Sequence, residues 1–185
     1  MEHIETKIPG VYILKPKVFT DARGFFLETY NTQILKQFGI TCQFVQDNHS
    51  RSEGPVLRGL HYQVEQEQAK LIRVIQGEIY DVAVDIRHGS PTFGQWVAEY
   101  LSAENKHMFF IPKGFAHGFL VISPAAEVLY KASNFYAPSK ERGIIWNDPN
   151  LNIDWPIKSP FLSIKDRAYS TLSNIPVGEL PKWLR

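Results

Sequence analysis

The sequence predicts a mainly β protein, an antiparallel sandwich or barrel with a few short helices, and three observations carry that expectation. Between residues 71 and 87, LIRVIQGEIYDVAVDIR, apolar and polar side chains alternate, with Tyr80, Val82, Val84 and Ile86 on one face and Asp81, Ala83 and Asp85 on the other. That is the period of two that a strand imposes. Further β-rich runs follow at FGQWVAEYLS, HMFFIP, HGFLVIS, AEVLYKASN and GIIWND, separated by glycine, proline, serine and asparagine clusters at the short spacing of antiparallel structure. Only one segment reads firmly as a helix: Asn31 caps a run in which Ile34, Leu35 and Phe38 recur every three to four positions before Gly39.

Taken in order, GVYILKPKVF is β-rich but lies among Pro9 and Pro16. Proline cannot donate to a ladder, so this stretch is expected at a sheet edge or in a connecting arm rather than as a central strand. RGFFLETYN follows a polar turn at Thr20 and Asp21, and leads into the short helix. His61 sits in a strand-like run with Tyr62 and Gln63, and two strands meet at Gly77. After Asp148 the chain is punctuated by Pro149, Pro156, Pro160, Pro176 and Pro181, and its 163–166 stretch reads as a loop laid over the barrel. With no internal repeat and no low-complexity linker, residues 1–185 are expected to form one domain, with an arm over about 1–20 and a loop-rich extension over about 149–185.

Composition excludes several classes. Twenty basic residues against nineteen acidic ones leave a net charge of +1 without a run of like charges, so no nucleic-acid stripe is present and an anionic ligand must be met by local cations. Cys42 is the only cysteine, which rules out an intrachain disulfide and any CxxC thiol or zinc site and suits a reducing cytoplasm. The start MEHIETKIPG lacks a basic, then apolar, leader pattern, and nowhere do eighteen apolar residues follow one another, so neither a secreted precursor nor a membrane span is expected.

The chemistry concentrates in RGLHYQ (Arg58 to Gln63), Lys70, FIPKGFAHGF ending at Phe119, and VLYK ending at Lys131. A histidine, a lysine and a tyrosine on neighbouring strands are what proton transfer beside a ketone needs: a base, a cation for the enolate, and an acid. Each has a blander reading. A lone histidine such as His61 is usually structural. Lys70, however, shares the parity of Ile72 and Val74, and a lysine aimed into a barrel is costly without an anionic partner or a function. Tyr130 shares a face with Val128 and Ala132, where a packed tyrosine bonded to a carbonyl is the ordinary outcome. His117, in PKGFAHGF, sits where the second cupin motif has a histidine that often binds metal. Here no HxH exists anywhere, and one imidazole cannot hold a metal. His117 is therefore read as a hydrogen-bond donor to a ligand, with core packing as the competing reading.

The ordered set DARGFF, FVQDNHS, VLRGLHYQ, GEIYDVAVDIR, FIPKGFAHGF, VLYK, ERGIIWND and SIKD resembles the dTDP-4-dehydrorhamnose 3,5-epimerase family over nearly the whole chain. The resemblance implies a cupin-type jelly roll, working without metal or other cofactor and assembled as a homodimer. It implies His61 as general base, Tyr130 as general acid, Asp166 as the carboxylate that orients the base, and Lys70 as the enolate-stabilising cation. Contacts to a nucleotide sugar fall on Arg23, Glu28, Gln46, Asp47, Asn48, Arg58, His117, Glu141 and Lys165, and Tyr136 on the aromatic that stacks on thymine. No position departs from the family pattern.

The implied reaction is chemically coherent. In a 4-keto-6-deoxyhexose the ketone acidifies both C3 and C5, so one base and one oxyanion site serve both centres, and a donor opposite the base produces inversion. Two other readings stay open: a relative that inverts C3 alone or C5 alone, and a metal-dependent cupin or non-catalytic sugar-nucleotide binding protein. The arginines and lysines offered to phosphate have surface solvation as their plain alternative.

Overall fold

The alternation over residues 71–87 folds as two strands that part at Gly77 into different sheets. The computed structural model describes residues 1–183. In chain order its elements are β1 (Glu2–Glu5), β2 (Tyr12–Lys15), β3 (Val18–Asp21), β4 (Gly24–Leu27), α1 (Thr32–Gln37), β5 (Gln46–Glu53), β6 (Leu57–Gln63), β7 (Lys70–Gln76), β8 (Glu78–Asp85), β9 (Trp96–Ser102), β10 (Met108–Ile111), β11 (Phe115–Val121), β12 (Ala125–Ala132), β13 (Glu141–Gly143) and α2 (Ile164–Arg167). A six-stranded sheet runs β1-β2-β10-β7-β12-β5, a five-stranded sheet runs β13-β6-β11-β8-β9, and β3 and β4 form a separate hairpin. All strand pairs within these sheets are antiparallel. At the switch Gly77 has φ +73°, and a Cβ there would collide with the Ala125 carbonyl oxygen, so glycine alone suits the corner.

The two sheets face each other across one core. Ile72 and Val74 of β7, Ile79 and Ala83 of β8, Phe109, Phe115, Phe119 and Val128 pack between them. The opposite side of β8 is buried as well, because Val82, Val84 and Ile86 meet Leu151, Trp155, Leu162, Leu172 and Leu180 from the C-terminal segment. Each fully buried aliphatic side chain of this kind contributes about 1.5–3 kcal/mol. A third cluster fixes α1: Asn31 Oδ1 accepts from Gln33 N at 2.9 Å, and Leu35 packs on Leu14, Met108 and Phe110. The sheet pair is an antiparallel jelly roll of the cupin type. Among the described residues no helix is long and apolar enough to cross a membrane.

Several expectations need correction. β2 is not an edge or an arm: it lies between β1 and β10, because Pro9 and Pro16 flank it and no ladder donor is missing. Thr20 and Asp21 end β3, and the turn is Ala22–Arg23. The strand expected at GIIWND is β13, ending at Gly143; Ile144 exchanges one pair of hydrogen bonds with Leu60, and Ile145 then donates to Ser170 instead. The 163–166 stretch is the start of a one-turn helix, capped by Ser163 Oγ accepting from Asp166 N at 3.0 Å. β5, QDNHSRSE, escaped the apolar pattern because polar side chains fill both its faces, one half-buried with Ser50 lining a cavity and the other exposed.

Candidate active site

Four strands from the two sheets bring the chemistry together. On the five-stranded sheet His61 of β6 stands directly opposite His117 of β11, and His117 is opposite Ala83 of β8. On the six-stranded sheet Lys70 opens β7 opposite Ala132, while Tyr130 is opposite Ile72. Residues directly opposite share a face, and here that face is the interior. A cavity of about 420 Å³ is lined by His61, Lys70, Tyr130, Arg58, His117, Phe119, Lys165 and Asp166. From the same His61, Lys70 and Tyr130 a narrower pocket of about 80 Å³ continues toward Gln63, Glu67, Tyr136 and Glu141.

His61 Nε2 lies 2.7 Å from Asp166 Oδ1, and Asp166 is buried at the start of α2. With Nε2 engaged, Nδ1 is the imidazole nitrogen available to a substrate. Burial pushes the Asp166 carboxyl up, but the hydrogen bond and charge of His61 and the Ser163 hydroxyl outweigh it, and the group stays below the ordinary carboxylate range. Lys70 is pulled down to about 8 by burial, against the opposing pull of Asp81 and Glu141. Tyr130 moves the other way: burial raises it, despite Arg58, so its phenol is protonated at neutral pH. Its side chain packs against the inner core as the shared parity with Val128 requires.

His117 is buried, and its Nε2 lies 2.5 Å from Asp81 Oδ1. Burial lowers the imidazole's pKa, and Asp81 opposes the shift. Asp81 was not among the residues that sequence reasoning put in the site. The signal was available, since a carboxylate on the face of Ala83 must point into the barrel; its Oδ2 is buried and has no hydrogen-bond partner among the described residues. Glu141 joins two further residues: Tyr136 Oη donates to it at 2.7 Å and Lys165 Nζ at 2.5 Å. Burial raises Glu141, and these two donors bring it below its ordinary value. Gln46 Nε2 donates to Asn48 Oδ1 at 3.0 Å, and Gln46 Oε1 accepts from Tyr136 N at 2.9 Å. Arg58 Nε is steadied by Ser52 Oγ at 2.9 Å.

Five of the expected contacts do not line this cavity or its continuation within one chain: Gln46 and Asn48, bonded to each other as above, and Asp47, Arg23 and Glu28. Asp47 points to the other face of β5, where its carboxylate takes Lys131 Nζ at 2.9 Å. Arg23 is 90% exposed at the tip of the β3–β4 hairpin and pairs with Asp21 at 2.6 Å. Glu28 accepts from Asn31 Nδ2 at 3.2 Å beside α1. Among the described residues no group of three or more histidine, cysteine, aspartate or glutamate side chains could hold a metal ion.

A carboxylate-held imidazole, a lysine of lowered pKa and a protonated phenol around one cavity, with Arg58 and Lys165 on its wall, define an acid–base enzyme on a cupin-type barrel. Comparison with known proteins narrows the class. The family model for dTDP-4-dehydrorhamnose 3,5-epimerase matches residues 5–174, and the chain belongs to that family. It is 58% identical over 169 residues, 90% of this chain and 93% of the relative, to a dTDP-4-dehydrorhamnose 3,5-epimerase of Pseudomonas aeruginosa. The crystal structure of a dTDP-6-deoxy-D-glucose-3,5-epimerase of Legionella pneumophila in complex with dTDP-4-keto-L-rhamnose superposes with a TM-score of 0.97 at 50% identity, covering 100% of this chain and 99% of that one. A 3'-monoepimerase of Streptomyces bikiniensis in complex with dTDP-quinovose gives 0.89 at 33% identity, covering 96% and 91%.

Proposed function

We propose that this protein is an isomerase that inverts C3 and C5 of dTDP-4-dehydro-6-deoxy-D-glucose to give dTDP-4-dehydro-L-rhamnose, in the route to dTDP-L-rhamnose. The observation that carries the mechanism is that His61, Lys70 and Tyr130 face one cavity while Asp166 holds the far nitrogen of His61. His61 Nδ1 removes the proton at C3 or C5, and the electron pair moves onto the C4 oxygen as an enolate. Asp166 steadies the resulting imidazolium. Lys70, charged below about pH 8, stabilises the oxyanion. Tyr130, on the opposite sheet, returns a proton to the other face of the planar enolate. Arg58 and Lys165 meet the diphosphate, Tyr136 stacks on the thymine, and His117, whose Nε2–H goes to Asp81, offers Nδ1 to the ligand as an acceptor rather than as the donor read from the sequence. No metal or other cofactor is required: the C4 ketone itself supplies the electron sink, and His117 Nε2 is engaged by Asp81.

The test is proton NMR in deuterated water with dTDP-4-keto-6-deoxyglucose. Loss of both the C3 and C5 signals with the L-lyxo product is expected. Exchange at C3 alone would support a second reading, a single-centre enzyme, which the likeness to the 3'-monoepimerase favours and the higher identity to 3,5-epimerases opposes. No exchange would turn the reading to a binding protein.

The working unit in this reading is a homodimer in the cytoplasm, where a single free cysteine is stable. Support for the dimer comes from the β3–β4 hairpin, which exposes Phe19, Phe25 and Phe26 beside Arg23. Arg23 and Glu28 would then serve the cavity of the second copy. Mixing Arg23→Ala with His61→Ala chains tests this: contact in trans restores about a quarter of wild-type activity in randomly exchanged dimers, and contact within one chain restores none.

A further inference from the structure

We propose that Tyr169 is a positioning residue for the general base, its ring filling the space beside His61 that the missing side chain of Gly143 leaves open. The inference rests on His61 being that base. Gly143 is the residue directly opposite His61 in the β13–β6 pair, and opposite residues project side chains to the same face. A side chain at 143 would therefore stand next to the imidazole. Instead a Cβ built there would collide with three carbons of the Tyr169 ring. The ring meets the imidazole edge-on, at 5.8 Å between centroids and 73° between planes, within the range of favourable aromatic pairs.

The chain path makes the contact a fixed one. Tyr169 follows α2, three residues after Asp166, and the neighbouring Ser170 carbonyl accepts from Ile145 N at 2.9 Å. The segment that delivers the orienting carboxylate thus also delivers the ring, and is tied back to the chain leaving β13. Asp166 alone restrains one nitrogen of His61, about which the imidazole can still tilt. An aromatic wall on its flank removes that freedom, so Nδ1 keeps one direction toward the substrate. The Tyr169 hydroxyl is buried beside Lys165, whose charge acts on it, whereas the contact with His61 is made by the ring. The ring, not the hydroxyl, does the positioning.

Steady-state kinetics on Tyr169→Leu and Tyr169→Phe, with the downfield proton signal of the His61–Asp166 hydrogen bond as a spectroscopic readout, tests the proposal. Tyr169→Leu is expected to lose about tenfold to a hundredfold in kcat, the scale of a misplaced catalytic group, with KM within about twofold of wild type. The downfield signal should broaden or vanish. Tyr169→Phe is expected to keep kcat, KM and the signal. Wild-type kcat in Tyr169→Leu, or a loss of kcat in Tyr169→Phe as large as in Tyr169→Leu, would overturn it. Should Tyr169→Leu fail to fold, Tyr169→Met, flexible and without a flat ring, carries the same expectation and the same refutation. His61→Ala is measured alongside: retained proton exchange there would defeat the base assignment itself. Loss of exchange there with full kcat in Tyr169→Leu would defeat only the positioning role.

Discussion

The two histidines that line the cavity, on neighbouring strands, each pair with a carboxylate, and the pairs are built differently. His61 retains 28% side-chain exposure and takes its carboxylate from Asp166, on a short helix of the C-terminal segment. His117 is 7% exposed and takes its carboxylate from Asp81, on the adjoining strand of its own sheet. The first pair faces the larger cavity with both partners, while only the histidine of the second lines it. A base must exchange protons with substrate and then with solvent, so access counts; a group that only orients a ligand works best when buried and rigid. The same two residue types thus take different work from their surroundings.

Measurements on both pairs and on the residues around them can break or sharpen that contrast. The largest effect is expected from His61→Ala, which should abolish deuterium exchange at both C3 and C5, a loss of about 10²–10⁴-fold or more. Asp166→Asn should cut kcat by at least about a hundredfold with little change in KM. If His117→Ala matched His61→Ala in eliminating exchange, the division between base and ligand-orienting residue would fail. In the proposed mechanism Lys70 stabilises the enolate that the first pair generates. Lys70→Ala should lower kcat by about 10²–10³-fold. In the wild type, raising pH through about 8 deprotonates Lys70, so activity should fall on the alkaline side; Lys70→Arg should lose that limb because a guanidinium stays charged. A limb unchanged in Lys70→Arg would assign it to another group. Tyr130→Phe should allow proton exchange but block correct inversion, read from product stereochemistry, and full epimerase activity would remove it as the acid. The smallest catalytic effect belongs to the second pair. Asp81→Asn should change kcat/KM by only about tenfold, with the alteration mainly in KM. Asp81→Ala, which leaves buried His117 without its partner, should cost about 1–3 kcal/mol in thermal or denaturant unfolding. Asp166→Ala should cost less, because His61 keeps access to water when its partner is lost, and a reversal of this order would invert the comparison.

Much of this architecture was legible beforehand, for physical reasons particular to each segment. β8 could be read because its two faces differ in composition, and α1 because Asn31 and Gly39 bracket a period of three to four. Lys70 could be assigned inward because Ile72 and Val74 share its parity and lie in the inner core. β5 could not be read, since a strand polar on both its half-buried and its exposed face has no apolar stripe. Asp81 was on the page as a face-mate of Ala83, yet only the short contact to His117 gives that position meaning. Arg23 and Glu28 fit the motif but stand away from the cavity of their own chain, because the hairpin that carries Arg23 pairs only with itself.

By itself the sequence determined the antiparallel β class, the corner at Gly77, the helix cap, the inward parity of Lys70 and Tyr130, and the ordered motifs of one family. These depend on short-range sterics and on a side-chain period of two, which local residues encode. Tertiary structure alone decided that β7 and β8 enter different sheets, that Asp166 travels 105 positions along the chain to reach His61, and that Tyr169 occupies the gap at Gly143. Such pairings depend on how the two sheets and the C-terminal segment close on a shared core, and no local pattern records that closure.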